Sequence, residues 1–176
     1  MNELLIKPIP YGRQSISEQD IQSVIDVLRS EWLTQGPAID LFEKAVADYC
    51  VTKYAVAVNS ATSALHIACI AAGLGTGDRL WTSPNTFVAS ANCGLYCGAD
   101  VDFVDVDPIT YNLSADDLEE KLRKAERKGS LPKIVIPVHF AGQSCEMEKI
   151  NALAKHYSFT VIEDASHAIG GRYRGN

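Results

Sequence analysis

Phe159-Thr160-Val161-Ile162-Glu163-Asp164-Ala165-Ser166-His167-Ala168 joins a short apolar run to two carboxylates, a small-residue turn and a histidine. An apolar run of this length reads as a buried strand. In a parallel α/β protein, ligands sit beyond the carboxyl ends of the strands, so Asp164 and His167 fall where a site would be. Glu163 and Asp164 are adjacent, and along a strand adjacent side chains point to opposite faces. They are therefore not a paired acid and base; one of them, with His167, faces the site. The alternative is a buried Asp that caps the turn after it.

Upstream, the pattern alternates. Tyr54–Val58, Arg79–Thr82, Val101–Val104, Lys133–Val138 and Phe159–Ile162 read as strands. Ala61–Ala72, Phe87–Tyr96, a helix capped by Ser114 with Leu118, Leu122 and Ala125 on one face, and Glu146–His156 read as the intervening helices. Such alternation implies parallel βαβ units, with helices covering the sheet. Ahead of them, Ser17 and Asp20 resemble a capping box. Ile21, Val24, Ile25 and Leu28 then follow a helical period. Leu33-Thr34-Gln35-Gly36-Pro37 breaks that helix, and Pro37 suits the first turn of the next. The second helix is expected to carry Leu41, Phe42, Ala45, Val46 and Tyr49 inward.

The bulk properties exclude several classes. The chain has 176 residues, 47% of them hydrophobic, and a net charge of −6. That balance, with no Lys/Arg run, argues against a nucleic-acid partner; the mixed signs from Lys121 to Lys128 read as a solvated helix face. No stretch is long and apolar enough for a membrane span. The opening residues lack a basic segment followed by an apolar one, so no signal peptide is expected. Five irregularly spaced cysteines do not form a disulfide framework. A cytoplasmic, reduced protein without a membrane partner is the expectation. Cys93 and Cys97 share a helix face, but no further ligands complete a metal site, and they read as buried and inert.

Other constellations also fall at strand ends. In Val58-Asn59-Ser60-Ala61-Thr62-Ser63-Ala64-Leu65 a strand gives way to hydroxyl residues and a helix start. This is either an anion site made of free N–H groups and hydroxyls or an ordinary N-cap. Thr82-Ser83-Pro84-Asn85-Thr86-Phe87-Val88-Ala89-Ser90 places Phe87 at a helix start, where its ring either presents to a planar ligand or joins the core. Gly73-Leu74-Gly75-Thr76-Gly77-Asp78 follows a helix and precedes a strand, the reverse of a dinucleotide fingerprint, so it reads as helix termination and a turn. Asp100 to Pro108 lacks the spacing of a calcium loop and reads as strand plus turn. His139-Phe140-Ala141-Gly142 belongs on the ligand side of the sheet, with Gly142 permitting close backbone approach. No role is assigned to His139, and His66 and His156 read as packing or surface residues.

Taken in order, Leu33-Thr34-Gln35-Gly36, Asn59-Ser60-Ala61-Thr62-Ser63-Ala64, Pro84-Asn85-Thr86-Phe87-Val88-Ala89-Ser90, Phe103-Val104-Asp105-Val106-Asp107 and Ile162-Glu163-Asp164-Ala165-Ser166-His167-Ala168-Ile169-Gly170 resemble the DegT/DnrJ/EryC1/StrS sugar aminotransferases. These are fold-type I pyridoxal 5'-phosphate enzymes. Within the family, Tyr11, Ala141-Gly142-Gln143 and Asp164 to Ala168 resemble the branch that serves pseudaminic acid biosynthesis.

The resemblance implies an α/β three-layer sandwich with a mainly parallel sheet, an incomplete large domain of the aspartate aminotransferase type. Residues 1–36 would form an N-terminal helical segment and a substrate-side loop. Residues 37–176 would form part of the cofactor-binding large domain, with the C-terminal small domain absent. It implies that Ala61, Thr62 and Ser63 cradle the cofactor phosphate, that Phe87 stacks on the pyridine ring, that Asp164 pairs with the pyridine nitrogen, and that His167 lies near the 3-hydroxyl edge. Tyr11, Glu31, Trp32, Leu33, Thr34 and Ala61 would line the sugar-nucleotide pocket.

The implied activity is amination of a UDP-linked 4-keto-6-deoxy-N-acetyl-hexosamine, with glutamate as donor and pyridoxamine phosphate as the carrier between half-reactions, in a homodimer. The family's Schiff-base lysine would fall beyond Asn176, which implies a chain that does not turn over by itself. A histidine at that position would instead imply a sugar dehydratase.

Overall fold

The computed structural model describes residues 12–175, in two compact units that divide between Ala57 and Val58. In the first unit, α1 (Glu18–Arg29) begins with the anticipated capping box. The Asp20 carboxylate accepts the Ser17 N–H at 2.7 Å, and Ser17 Oγ accepts the Asp20 N–H at 3.2 Å. These reciprocal bonds satisfy donors that the first helical turn leaves free and hold the Asp20 carboxyl below its ordinary range. Gly36 and Pro37 open α2 (Pro37–Tyr49) as expected.

Two expectations for this unit are corrected. Leu41 and Phe42 are 68% and 60% exposed, Ala45 and Tyr49 are also exposed, Val46 is half-buried, and Ala47 is the buried residue of α2. Periodicity marks an apolar face; it does not supply what covers it. Residues 54–58 carry no β-ladder. Their alternating pattern suits a strand, yet Tyr54 and Val56 stand exposed, and a strand exists only through a neighbour's hydrogen bonds. The Ala57 N–H is instead held by Glu43 Oε1 at 2.7 Å.

The second unit is a four-stranded, wholly parallel sheet of β1 (Arg79–Thr82), β2 (Asp100–Phe103), β3 (Ile134–Ile136) and β4 (Thr160–Val161), in the order β2-β1-β3-β4. Leu80 pairs with Val101 on one side and Ile134 on the other. Helices α3 (Ala61–Ala71), α4 (Ala89–Tyr96), α5 (Ala115–Lys128) and α6 (Met147–Tyr157) complete three layers.

The strands alternate cleanly between two cores. Leu80, Ile134 and Ile136 point into a cluster with Leu65 and Cys69 of α3 and Cys93 of α4. Trp81 and Val135 point the other way, into a cluster with Leu118 and Leu122 of α5 and Ile150 of α6. A sheet covered on both faces needs apolar residues at consecutive positions, which is why its strands read as unbroken apolar runs.

Helix ends follow their sequence signals. Ser114 Oγ accepts the Asp117 N–H at 3.1 Å; Asp116 and Asp117 lie in the first turn of α5 and Arg127 and Lys128 in the last, each sign matching the helix dipole. Helix α3 stops at Gly73 (φ 73°), with Gly73 N–H bonded to Ile70 O and Leu74 N–H to Cys69 O. This pair of bonds is a Schellman motif, so the glycine run is the helix stop and turn it was expected to be.

Phe87 lies in the loop before α4, not within the helix. In the Asp100–Pro108 run, β2 is followed by a turn in which Asp107 Oδ1 accepts from Thr110 N–H at 2.7 Å and Ile109 N–H at 3.1 Å. Cys93 is fully buried and Cys97 half-buried; a hydrogen bond to Cys93 and burial push the Cys69 thiol up, so it stays protonated.

Layer spacing depends on α4 lying close to the sheet. A Cβ at Gly94 would meet Val101 Cγ2 at 2.9 Å and Leu80 Cβ at 3.2 Å. On the opposite face, Leu118 is fully buried. Leu118→Ala is expected to lower unfolding stability by about 2–5 kcal/mol, from lost transfer energy plus the cavity left behind. Urea denaturation followed by circular dichroism measures it.

Candidate functional site

From β1 the chain moves outward to β2, then crosses back over β1 to reach β3. The connections leaving the carboxyl ends of β1 and β3 therefore diverge onto opposite faces, and a crevice forms between them. A cavity of about 210 Å³ lies there, lined by the start of α3 (Ala61, Thr62), the loop after β1 (Thr86, Phe87), the segment after β3 (Val138, His139, Phe140) and the turn after β4 (Asp164, Ser166, His167).

Asp164 is fixed first by its backbone. Its N–H donates to Pro137 O at 3.0 Å and its carbonyl accepts the His139 N–H at 3.0 Å, extending the β3–β4 pairing past the strands themselves. Its side chain is 7% exposed and turned into the cavity. Oδ2 accepts from Ser90 Oγ at 2.7 Å; Oδ1 accepts from Ser166 Oγ at 2.6 Å and the Ser166 N–H at 3.2 Å. Both readings of Asp164 hold at once, because the carboxylate caps its own turn and faces the site. Among the described residues no cation pairs with it.

Glu163 diverges as strand geometry requires. Its Oε2 lies 2.7 Å from Nε2 of the buried His139. His139 Nδ1 accepts the Cys145 N–H at 3.2 Å, and a backbone N–H can only donate. The ring proton is therefore on Nε2 and points at Glu163. Burial pushes the Cys145 thiol up to about 12, and that thiol donates to Val138 O at 3.2 Å.

At the start of α3, Ser60 Oγ accepts the Ser63 N–H at 3.2 Å, and Ser63 Oγ donates to Asn59 Oδ1 at 2.7 Å. Ser60 and Ser63 are thus engaged in capping, and Ser63 is not among the residues lining the cavity. Ala61 and Thr62 do line it, and their N–H groups precede the first intrahelical bond, Ala64 N–H to Ser60 O. A helix start with free N–H groups attracts an anion.

Phe87 is 73% exposed, which excludes the core reading and leaves its ring as a cavity wall. Gly142 (φ 88°) lets the loop after β3 approach the last turn; a Cβ there would meet His167 O at 2.9 Å. Asn112 steadies that loop, accepting the Phe140 N–H at 2.9 Å and donating to Gln143 O at 3.0 Å.

The structure therefore brings Ala61, Thr62, Phe87, Asp164 and His167 together. Glu31, Trp32, Leu33 and Thr34 lie between α1 and α2 of the first unit, all exposed; Tyr11 is outside the described residues. Thr86, Ser90 and Ser166 were not anticipated as site residues. A hydroxyl four residues after another, at a strand end, was the available signal for Thr86 and Ser90; nothing local ties Ser90 to a carboxylate 74 residues away. Among the described residues no lysine lines the cavity.

The chain is a three-layer α/β protein whose cavity at the switch point has both a helix start with free N–H groups, which suit an anion, and a buried carboxylate with no cation paired to it among the described residues. Residues 14–176 match the DegT/DnrJ/EryC1/StrS aminotransferase family, and the chain belongs to it. It is 42% identical over 153 residues to the GDP-perosamine synthase of Caulobacter vibrioides, spanning 86% of this chain and 40% of that protein. It superimposes on Helicobacter pylori PseC, an aminotransferase involved in the biosynthesis of pseudoaminic acid, with a TM-score of 0.86 and 32% identity, over 96% of this chain and 44% of PseC. The PLP-form of the putative sugar aminotransferase Spr1654 from Streptococcus pneumoniae gives a TM-score of 0.81 at 29% identity, over 92% of this chain and 44% of that one. The chain thus spans 40–44% of the length of these proteins.

The His139 geometry makes a direct prediction. Two-dimensional ¹H–¹⁵N correlation of the imidazole should show Nε2 protonated and Nδ1 unprotonated at neutral pH. The opposite tautomer would contradict the Cys145 N–H bond.

Proposed function

We propose that the protein carrying this chain transfers an amino group to a nucleotide-linked keto sugar using pyridoxal phosphate, and that this chain supplies much of the cofactor's seat. The observation that carries the reading is Asp164, a buried carboxylate that among the described residues is held by neutral donors alone. A buried charge needs a partner, and a protonated ring nitrogen is one. The rest of the donor set fits the same molecule: free N–H groups at the α3 start suit a phosphate, and the exposed Phe87 ring suits a planar heterocycle. Family membership and the relatives named above support the assignment.

The roles follow from these chemistries. Asp164 holds a proton on the ring nitrogen. Ala61 and Thr62 bind the phosphate through their N–H groups, and Ser63 fixes the turn that presents them. Phe87 would orient the ring, and His167, which lines the same cavity, would by resemblance to the family lie near its 3-hydroxyl group. When bound, pyridoxal phosphate supplies the electron sink that the transfer requires. By resemblance to the family, Tyr11 and Glu31 to Thr34, in residues 1–36 as a substrate-side segment, are assigned contacts with the sugar nucleotide, and Ala61, in residues 37–176 as large-domain sequence, is separately assigned one.

The substrate is a UDP-linked 4-keto-6-deoxy-N-acetyl-hexosamine, the amino donor is glutamate, and the working unit is a cytoplasmic homodimer. Among the described residues no lysine lines the cavity, so the reading assigns these residues a cofactor seat and no reactive amine.

Titration calorimetry with pyridoxamine phosphate tests the seat. Asp164→Asn, which keeps the shape and removes the charge, should weaken binding about tenfold or more, as expected for a lost charge-assisted bond. Equal affinity for the variant would overturn the reading. Production of 2-oxoglutarate from glutamate and the keto sugar by the protein at its native length tests the substrates.

A further inference from the structure

We propose that Ser90 is a positioning residue that acts on a cationic ring nitrogen in the cavity through Asp164; the proposal rests on the cofactor reading above. Ser90 is the second residue of α4, is fully buried, and is not among the residues that line the cavity. It reaches a ligand only through the carboxylate it touches.

The direction of its hydrogen bonds can be worked out. Ser90 Oγ carries one proton and has three acceptors in reach, Asp164 Oδ2 at 2.7 Å, Thr86 Oγ1 at 2.8 Å and Phe87 O at 3.3 Å. The nearer and charged acceptor takes it, since bonds to an ionised acceptor are shorter and stronger. With its proton committed, Ser90 is the acceptor toward Thr86 Oγ1 at 2.8 Å, so Thr86 donates. A one-way relay thus runs from Thr86 through Ser90 to Asp164, and successive bonds of this kind polarise one another.

The other carboxylate oxygen is held separately, by the hydroxyl and N–H of Ser166. The carboxylate is therefore gripped from two elements, α4 on one oxygen and the turn after β4 on the other. Released from Ser90, Oδ2 would lose its hold and the carboxylate would be fixed by Ser166 alone. Positioning of this kind matters only for a ligand atom that bonds to the carboxylate. A ligand filling the same space without a ring nitrogen would not register the loss.

That difference is the test. Binding of pyridoxamine phosphate and of its 1-deaza analogue, in which C–H replaces the ring nitrogen, is measured by calorimetry for the wild-type protein at its native length and for Ser90→Ala. The expected result is a rise of about tenfold in Kd for pyridoxamine phosphate, with the Kd of the deaza analogue changed less than about twofold. Ser90→Thr, which keeps the hydroxyl, should recover most of the affinity. If Ser90→Ala fails to fold, Thr86→Val removes the relay's first donor at nearly constant volume and should shift the same ratio in the same direction.

Equal weakening for both ligands means that Ser90 only supports packing, and no weakening for either means that it has no hold on the site; each overturns the proposal. A wild-type protein that does not prefer pyridoxamine phosphate to its deaza analogue would remove the cofactor reading itself, and this assignment with it.

Discussion

A carboxylate taken out of water with no counter-ion among the described residues is the constraint around which the second unit is arranged. Asp164 receives a serine from α4 and a serine from its own turn, and its backbone is locked to Pro137 and His139. Each of these groups is neutral. Dipoles steady a buried negative charge but do not cancel it, so the site is held ready for a positive partner. Helix α4, the segment after β3 and the turn after β4 each bring one of the groups that hold this residue in place.

The strand order makes that convergence possible. Because the chain leaves β1 in one direction and returns across it to β3, α3 and α4 gather on one face and α5 and α6 on the other. The loops at the crossing cannot pack on each other, and the space between them is the cavity. Buried Thr82 ties the two diverging strands, its Oγ1 donating to Ile136 O at 2.8 Å. Asp164 is hydrogen-bonded as well, on both carboxylate oxygens, so what it lacks among the described residues is a cation and not a donor.

Much of this was legible in the chain. Periodicity and caps located α1 to α6, and apolar runs located β1 to β4, because each depends on residues within one turn or one strand. The divergence of Glu163 and Asp164 followed from strand parity alone. Motif resemblance singles out Ala61, Thr62, Phe87 and His167, and all four line one cavity. What failed was non-local. Residues 54–58 have a strand's pattern without a strand's partner, and Leu41 and Phe42 have an apolar face without a cover. Ser90 carries no local sign of its role because its partner is distant in sequence, and the tautomer of His139 depends on the Cys145 N–H that meets its Nδ1.

The shortness of β4 gives the adjacency of Glu163 and Asp164 a further meaning. Only Thr160 and Val161 form its ladder, and both faces of the sheet are apolar there, with Phe159 and Val161 packed in one cluster and Ile162 in the other. Sliding this strand by one position would exchange Val161 and Ile162 between two greasy interiors at little penalty, while sending the longer glutamate inward and the aspartate toward solvent. Hydrophobicity is nearly blind to that error. The choice of frame falls to polar groups at the strand's ends: the left-handed turn at Ser158 before it and the hydroxyls waiting for Asp164 after it. In this chain the same hydrogen bonds that shape the site also act as the proofreader of its alignment.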